Sequence, residues 1–343
     1  MPFRVGITYN LRGELPLKPG DPPDLNAEFD REETIDHIER ALRESGHSVV
    51  RIGNARRLLE RAKELDVDIV FNIAEGYGGR NRESQVPILL ELLGIPFVGA
   101  DGLSLGLTLD KVLTKKVLFA EGIPSPRYVE MGDPAKLRQV DLTYPLIVKL
   151  RYEGSSKGLS EKSLVTTPEE LRRQVDWLLQ AYKGAAVFIE EFIEGTEFTV
   201  AVTGNETLEA HPVCQIVLDG QRELGRQVFN FAYLRGDLAY LCPAPIPDVL
   251  AKQMQELALR TYRAVECRDF GRVDFRVDRR GKPYVLEINP LPCLSADDVF
   301  NYIAKAKGIT HYQMINRILD AALERYGFMP RSDAGSSCAA GSH

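Results

Sequence analysis

The chain has 343 residues, of which 44% are hydrophobic and 27% are charged, and its formal net charge is −6. This composition is typical of a globular protein with two or three domains and sizeable cores. The acidic balance argues against nucleic acid as the main partner, although it leaves room for a local basic site that binds a small polyanion.

Hydropathy and cysteine usage both bear on the compartment. No apolar run approaches the roughly 20 residues of a membrane-spanning helix, and the N-terminus opens into a predicted strand without a signal peptide. We therefore expect no membrane partner. The five cysteines show no CxxC spacing, which indicates a reducing cytoplasm rather than a disulfide framework or a zinc site. They are Cys214, Cys242, Cys267, Cys293 and Cys338.

Residues 1–103 alternate strands with helices. An apolar stripe of Ile35, Ile38, Ala41 and Leu42 marks the first helix. This alternation predicts an α/β domain with an open, mostly parallel sheet. No GxGxxG follows the first strand, so the dinucleotide-binding fingerprint is absent. Strands are predicted over residues 3–9, 48–52, 68–73 and 95–98, and helices over residues 32–45, 55–65 and 85–93.

Two further lobes follow, over residues 104–185 and 186–330. The first begins with a helix that carries Lys111, Lys115 and Lys116. The second includes a polar loop, residues 219–236, which we expect to be mobile. The tail, residues 331–343, is low in complexity and is predicted to be disordered. The other predicted elements are strands over 127–131, 146–149, 186–193, 197–204 and 206–218, and helices near Ala135 and over 168–182 and 247–265.

Residues 271–292 (GRVDFRVDRRGKPYVLEINPLP) predict two strands joined by a polar turn. Asp274 lies on the first strand, and Glu287 and Asn289 share one face of the second. Two carboxylates and an amide oxygen form a ligand set suited to Mg²⁺. Arg272 offers a fixed positive charge for a phosphate or a developing oxyanion. A solvated surface hairpin is the alternative, but it does not explain an acidic residue within VLEI.

Residues 153–158 (EGSSKG) follow an apolar strand that carries Lys149. Glycines let backbone N–H groups approach phosphates, and Ser155 and Ser156 add donors. The loop lacks the Walker A pattern, and an ordinary turn is the alternative. Combined with Lys111, Lys149 and the acidic hairpin, it predicts a nucleoside triphosphate site in which Mg²⁺ bridges phosphates and carboxylates.

Residues 187–193 (VFIEEFI) place adjacent acids inside an apolar strand. An adenine needs a flat apolar slot with a few polar partners, and a ribose needs a carboxylate for its hydroxyls. Glu190, Phe192 and Ile193 suit the adenine region, and Glu197 suits the ribose. An edge strand with one wet face is an equally good interpretation of this segment alone.

The order of these motifs resembles the ATP-grasp superfamily, and specifically the D-alanine–D-alanine ligase family, from residue 3 to about residue 326. The matching segments are LLELLGIPFVGAD, LTLDKVLTKK, YPLIVKLRYEGSSKGL, VFIEEFIEGTEFTVAV, YLRGDLAYLCPA and GRVDFRVD…YVLEINPLP. The resemblance implies a nucleotide bound between two α+β lobes. It also implies that ATP phosphorylates the carboxylate of a first substrate, and that the amine of a second attacks the acylphosphate, releasing ADP and phosphate.

The resemblance further implies small amino acid or peptide substrates, two Mg²⁺ ions with Mn²⁺ as an alternative, and a homodimer. Arg272 would stabilise the acylphosphate and the tetrahedral oxyanion. Ser155 and Tyr233 match a serine and a tyrosine that link the phosphate loop to a closing lid, here residues 219–236; an ordinary packed aromatic is the alternative for Tyr233. The remaining implied roles are phosphate binding by Lys111 and Lys149, adenosine binding by Glu190, Ile193 and Glu197, and metal binding by Asp274, Glu287 and Asn289.

Departures from the family pattern concern the substrates most. Where the family has a lysine in the lid, this chain has Ala232. Residues 74–83 (AEGYGGRNRE) stand in place of the family's histidine–glycine motif. Glu28 is the nearest candidate for the glutamate that holds the first substrate's amine. Cys293 takes a glycine position, and a packed thiol is the better interpretation than a nucleophile. Asp297 and Asp298 lie where a serine would bind the acceptor's carboxylate, and like charges repel there.

Three functional hypotheses follow. The first is a ligase most like D-alanine–D-alanine ligase. The second is a ligase of the same mechanism that joins a different amino acid or peptide to a cationic or carboxylate-lacking amine, as the two aspartates indicate. The third is a nucleotide-binding protein without catalysis, which the altered lid favours and the intact hairpin set opposes. Phosphotransfer to a hydroxyl lacks an apparent catalytic base.

Overall fold

The computed structural model of the chain describes residues 1–131, 140–233, 236 and 238–328. The helix predicted near Ala135 and the tail predicted to be disordered lie outside the described residues. None of the described helices is both long and apolar enough to cross a membrane.

The N-terminal domain contains the parallel sheet that the sequence predicts. Its spatial order is β2-β1-β3-β4, and every pair is parallel. The carboxyl ends of parallel strands meet at one edge, which is where ligands bind in open α/β sheets. This edge carries Ile73 and Glu75 into the cavity described below. The elements are β1 (Arg4–Thr8), α1 (Glu32–Glu44), β2 (Ser48–Gly53), α2 (Ala55–Arg61), β3 (Ile69–Asn72), α3 (Gln85–Leu93) and β4 (Phe97–Val98).

The central lobe packs an antiparallel sheet of order β5-β8-β6-β7 against one helix. Val187 and Ile189 enter the same buried cluster as Val148 on a neighbouring strand. The strand over 187–191 therefore belongs to this lobe, and the predicted boundary at residue 185 falls one strand too early. The elements of the lobe are β5 (Tyr128–Met131), β6 (Leu146–Leu150), β7 (Leu164–Val165), α6 (Pro168–Ala181) and β8 (Val187–Glu191). The preceding helices, α4 (Gly102–Leu109) and α5 (Lys111–Ala120), pack Leu105 and Leu118 into a cluster of the C-terminal lobe.

The C-terminal lobe is built on a six-stranded sheet of order β12-β11-β9-β13-β14, with β10 paired to β9. The single strand predicted over 206–218 is two strands, because Pro212 between them has no N–H to donate to a ladder. The elements are β9 (Gly195–Gly204), β10 (Leu208–Ala210), β11 (Cys214–Leu218), β12 (Leu238–Leu241), α7 (Asp248–Ala264), β13 (Phe270–Asp278), β14 (Pro283–Asn289), α8 (Val299–Ala306) and α9 (His311–Arg325).

Asp269 connects the C-terminal lobe to the N-terminal domain. Its carboxylate is fully buried and accepts a hydrogen bond from the Gly99 backbone N–H at 2.8 Å, just after β4. It also accepts bonds from the Arg325 guanidinium at 3.0 and 2.7 Å and from Asn205 at 2.9 Å. Since each of these donors lies on a different segment, this carboxylate fixes how three parts of the chain meet.

We predict that Asp269→Ala lowers the free energy of unfolding by about 3 kcal/mol, because it leaves a partly buried guanidinium without its counter-ion and a buried N–H without an acceptor. Chemical denaturation followed by circular dichroism measures the change. Asp66→Ala is the control, since this aspartate makes an exposed ion pair with Arg4 and exposed pairs contribute little. Equal midpoints for the two variants would contradict the prediction.

Candidate functional site

The candidate site is a cavity of about 730 Å³ between the N-terminal sheet edge, the central lobe and the C-terminal sheet. It brings together every site residue predicted from the sequence except Tyr233. Those lining it are Glu28, Lys111, Lys149, Ser155, Ser156, Glu190, Phe192, Ile193, Glu197, Arg272, Asp274, Glu287, Asn289, Cys293, Asp297 and Asp298.

The hairpin presents its polar residues on one face because of strand alternation and register. Arg272 lies opposite Asn289, and Asp274 lies opposite Glu287. The intervening Val273 belongs to the apolar cluster on the other side of the sheet, as do other alternate residues of these strands. A single sheet is therefore apolar towards its core and charged towards the cavity.

Asp274 is the most constrained carboxylate of this face. It accepts two bonds of 3.0 Å from Arg272, one of 2.8 Å from the Asn289 amide and one of 2.7 Å from the Thr199 hydroxyl on β9. Because the Asn289 nitrogen faces Asp274, its amide oxygen is left for another partner. Asp274 in turn fixes the Arg272 guanidinium in one orientation.

The oxygen atoms of the hairpin fit a divalent cation whose remaining ligands come from a phosphate and from water. Within the described ranges, no group of three or more His, Cys, Asp or Glu side chains could hold a metal by itself. Asp274, Glu287 and the Asn289 oxygen make an oxygen set with only two carboxylates. This is what Mg²⁺ uses when water and substrate phosphates complete its octahedron.

Glu190 lies between two lysines from different elements. Its carboxylate is 2.8 Å from the Lys115 Nζ on α5 and 2.5 Å from the Lys149 Nζ on β6. Burial alone would raise the pKa of Glu190, but the two ammonium groups lower it to about 2. Burial lowers the pKa of Lys115. Burial would also lower the pKa of Lys149, but the nearby carboxylates of Glu190 and Glu287 raise it above its usual value. The Glu190 carboxylate thus pairs with two lysines where it lines the cavity.

Lys111 connects residues 153–158, the predicted phosphate loop, to the hairpin of residues 271–292. Its Nζ donates to the Glu153 carbonyl at 2.8 Å and lies 3.0 Å from a Glu287 carboxylate oxygen. Burial would raise the pKa of Glu287, but Lys111 and Lys149 lower it, so this carboxylate is ionised at neutral pH. The two lysines predicted to hold phosphates therefore flank the predicted metal ligands.

The phosphate loop has an unusual backbone. Ser155 and Ser156 adopt left-handed φ angles of 47° and 56°, which non-glycine residues rarely occupy outside functional sites. Gly154 leaves room for Glu28, because a Cβ there would lie 2.9 Å from a Glu28 carboxylate oxygen. The left-handed backbone at the two serines supports a loop shaped for a ligand, and the absence of a side chain at Gly154 lets Glu28 approach the loop.

Glu28 docks the N-terminal domain onto this loop. Its carboxylate accepts bonds from the Gly154 N–H and the Arg82 guanidinium, each at 2.5 Å, and from Lys157 at 3.1 Å. Burial would raise its pKa, but Arg82 and Lys157 lower it. Any substrate amine at Glu28 must share the carboxylate with these three donors.

Arg82 and its neighbours were not predicted as site residues, although the sequence marked their segment as a departure from the family. Arg82 is 3% exposed by its side chain and lies 3.7 Å from Glu83. Burial is the main cause that raises the pKa of Glu83 to about 7 and the pKa of Glu75 well above its usual value. Burial also raises the pKa of Asp30 to about 7. Three carboxyl groups with raised pKa values, those of Asp30, Glu75 and Glu83, therefore line the cavity together.

Asp298, which also lines the cavity, has two roles. It accepts the Val299 N–H at 2.7 Å and so caps α8, and it lies 3.7 Å from Arg272. Burial raises its pKa, while Arg272 opposes the shift. Asp297 and Cys293 are exposed in the cavity wall.

Tyr233 lies outside the cavity lining. Its hydroxyl accepts a 2.7 Å bond from Gln227, and its ring stacks on Phe229. The structure thus pairs Tyr233 within its own segment rather than with Ser155. Leu224 and Val228 of that segment are buried.

Three comparisons bear on identity. A family model described as the D-ala D-ala ligase C-terminus matches residues 120–320. A protein described as uncharacterized y4sG, from Sinorhizobium fredii, is 36% identical over 300 residues, covering 85% of this chain and 88% of that protein. A D-alanine–D-alanine ligase from Carboxydothermus hydrogenoformans is 34% identical over 301 residues, covering 85% and 93%.

The fold comparison agrees. The crystal structure of a D-alanine–D-alanine ligase from Bacillus anthracis complexed with ATP superposes with a TM-score of 0.73 at 24% identity, covering 96% of this chain and 99% of that one. This likeness confirms the expected ATP-grasp architecture. The chain therefore belongs to the D-alanine–D-alanine ligase family and is an ATP-dependent, ADP-forming ligase of the ATP-grasp fold.

Proposed function

We propose that this protein forms an amide bond between two amino acids through an acylphosphate, with D-alanyl-D-alanine as its first candidate product. One observation carries the proposal. Arg272, Asp274, Glu287 and Asn289 share the face of one sheet, and Lys111 lies 3.0 Å from Glu287 across the same cavity. A phosphate between these groups would meet positive charge and metal ligands together.

The chemistry balances without an added oxidant or reductant. A carboxylate oxygen of the first substrate attacks the γ-phosphorus of ATP, and ADP leaves. The amine of the second substrate then attacks the acyl carbon, loses a proton, and expels phosphate with the electrons of the C–O bond. Arg272, held by two bonds to Asp274, supplies fixed positive charge to the oxyanion of that second step.

The remaining residues bind and position. Lys111, Lys149, Ser155 and Ser156 would contact phosphates, and Glu190, Phe192, Ile193 and Glu197 would contact the nucleoside. Asp274, Glu287 and Asn289 would hold two Mg²⁺ ions or Mn²⁺. When bound, these ions neutralise charge on the transferring phosphoryl group. Residues 219–236 would close over the site and bring Tyr233 towards Ser155.

A second candidate keeps the mechanism and changes the acceptor. Asp298 already faces Arg272 at 3.7 Å, and Asp297 lies exposed beside it. Glu28 is occupied by Arg82 and Lys157. An acceptor with a second cationic group, or without a carboxylate, meets less repulsion here than a simple α-amino acid does. A nucleotide-binding role without catalysis is the third candidate.

We also propose a cytoplasmic homodimer. Helices α2, α3 and α4 lie side by side and expose Leu59, Leu92 and Leu103 at 62%, 79% and 77%. Large apolar side chains concentrated on adjoining helices favour a protein interface over solvent. Sedimentation velocity of the purified protein would test the assembly.

The first experiment measures ATP-dependent phosphate release with Mg²⁺ and a panel of amino acids and amines, with products identified by mass spectrometry. We expect D-alanine to give a D-alanyl-D-alanine mass. Lysine, arginine and diamines test the second candidate, and an amide formed only with these would establish it in place of the first. ATP binding with no product across the panel would support a role without catalysis.

We predict that Glu287→Gln lowers kcat by at least about 100-fold, because it removes a charged oxygen from the predicted metal set and breaks the pair with Lys111. Steady-state kinetics with the active substrate pair measure this change. Glu256→Gln, on the exposed side of α7, makes the same chemical change away from the cavity and should retain activity. A Glu287→Gln enzyme as active as the control would remove the hairpin from the mechanism.

A further inference from the structure

Arg276 is a buried cation in the wall of the nucleotide side of the cavity. It lies on β13 two residues after Asp274, so it shares the charged face of the sheet. Only 2% of its surface is exposed, and no motif of the sequence singled it out. A guanidinium so deeply buried requires several partners in fixed positions.

Its contacts join three segments. The Nε atom lies 3.2 Å from a Glu197 carboxylate oxygen on β9, the residue directly opposite Arg276 in the sheet. The Nη2 atom donates to the Gln227 carbonyl at 3.0 Å. The guanidinium carbon lies 4.3 Å from the centre of the Phe192 ring, within the range of a cation–π contact. Arg276 thus contacts two of the side chains assigned above to the nucleoside, Glu197 and Phe192.

The hydrogen bonding of this guanidinium is incomplete. Its Nε and Nη1 atoms are buried and have no hydrogen-bond partner among the described residues. The Nε approaches Glu197 closely without a bonding alignment, and Nη1 has no acceptor within residues 1–131, 140–233, 236 and 238–328. Unsatisfied buried donors are costly. An ion pair kept only for stability would satisfy them within the protein, whereas a site for a polar ligand leaves them open.

Glu197 offers hydrogen-bond acceptors beside the unsatisfied donors of Arg276. Its carboxylate lines the cavity, and Arg276 is the one side chain at ion-pair distance from it in the part of the chain that the structure describes. A carboxylate has two oxygens with several lone pairs, so Glu197 can contact Arg276 and still accept from the hydroxyl of a ligand in the cavity. A fixed carboxylate beside free N–H donors matches the paired hydroxyls of a ribose, which both donate and accept.

We propose that Arg276 is a nucleotide-positioning residue that orients Glu197 for the ribose hydroxyls and offers its free N–H groups to the same sugar. The inference rests on the proposed nucleotide role of Glu197 and Phe192, and it adds that ribose selectivity depends on a guanidinium behind them. Removing Arg276 should therefore affect ribonucleotides more than deoxyribonucleotides, and binding more than chemistry.

The test compares Arg276→Met and Arg276→Lys with the wild type. Binding of ATP, 2′-deoxyATP and 3′-deoxyATP is measured by calorimetry with Mg²⁺, and kcat and KM follow wherever a substrate pair is active. In Arg276→Met, we expect the Kd and KM for ATP to rise about tenfold or more with kcat within about threefold, and the preference for ATP over both deoxynucleotides to disappear. Arg276→Lys should keep part of this preference, because it retains the charge.

Two further variants separate positioning from stability. Glu197→Gln should lose the same preference, and the double variant should lose no more than either single one, because both act through one contact. Arg325→Met removes another largely buried ion pair, with Asp269 outside the cavity lining. It should lower the melting temperature without changing the nucleotide preference.

Some outcomes would overturn the proposal. They are equal loss of ATP and deoxynucleotide binding in Arg276→Met, a fall in kcat at unchanged KM, or a wild type without ribose preference. If Arg276→Met does not fold, Arg276→Lys and Glu197→Gln carry the same comparison. A wild type that prefers ATP but forms no amide with any substrate would refute the proposed reaction while supporting this inference.

Discussion

The structure depends on a buried carboxylate placed between two ammonium groups. Glu190 and Lys115 are 2% and 1% exposed by their side chains, and Lys149 completes the triad. Removing the carboxylate would leave two like charges in a region with little water, a large penalty for a protein of ordinary stability. Because Lys115 lies on α5 and Lys149 on β6, Glu190 fixes the helix against the sheet of the central lobe.

This placement determines where the other charges can lie. Lys111 is four residues before Lys115 on α5, so fixing the helix also directs Lys111 to the Glu153 carbonyl and to Glu287. Glu28 makes the corresponding connection from the N-terminal domain, through the Gly154 N–H. The cavity is therefore surrounded by contacts between lobes, and the charged face of the C-terminal sheet closes it. The site and the assembly of the domains use the same ion pairs.

The sequence predicted those features that depend on local pattern. Alternation placed Asp274, Glu287 and Asn289 on one face, and the same alternation could have revealed Arg276, which continues the series after Arg272 and Asp274. Other features depend on contacts distant along the chain. Nothing near Glu190 in sequence reveals that Lys115 will neutralise it, and nothing in the strand 187–191 reveals that it pairs with β6 rather than with the strands that follow. Arg82 was visible only as part of an unfamiliar loop, since its partner Glu28 lies in another segment.

The ion pairs around Lys111 and Lys149 also affect which anions can enter. Both ammonium groups already hold carboxylates of the protein, so a phosphate bound there as proposed would exchange one anion for another instead of filling an empty positive pocket. The net electrostatic gain is the difference between two similar interactions. A small free anion, such as inorganic phosphate or sulfate, has only this difference to gain and competes poorly. A nucleotide would add contacts from its base and sugar, so the proposed site would favour a nucleotide over a simple anion.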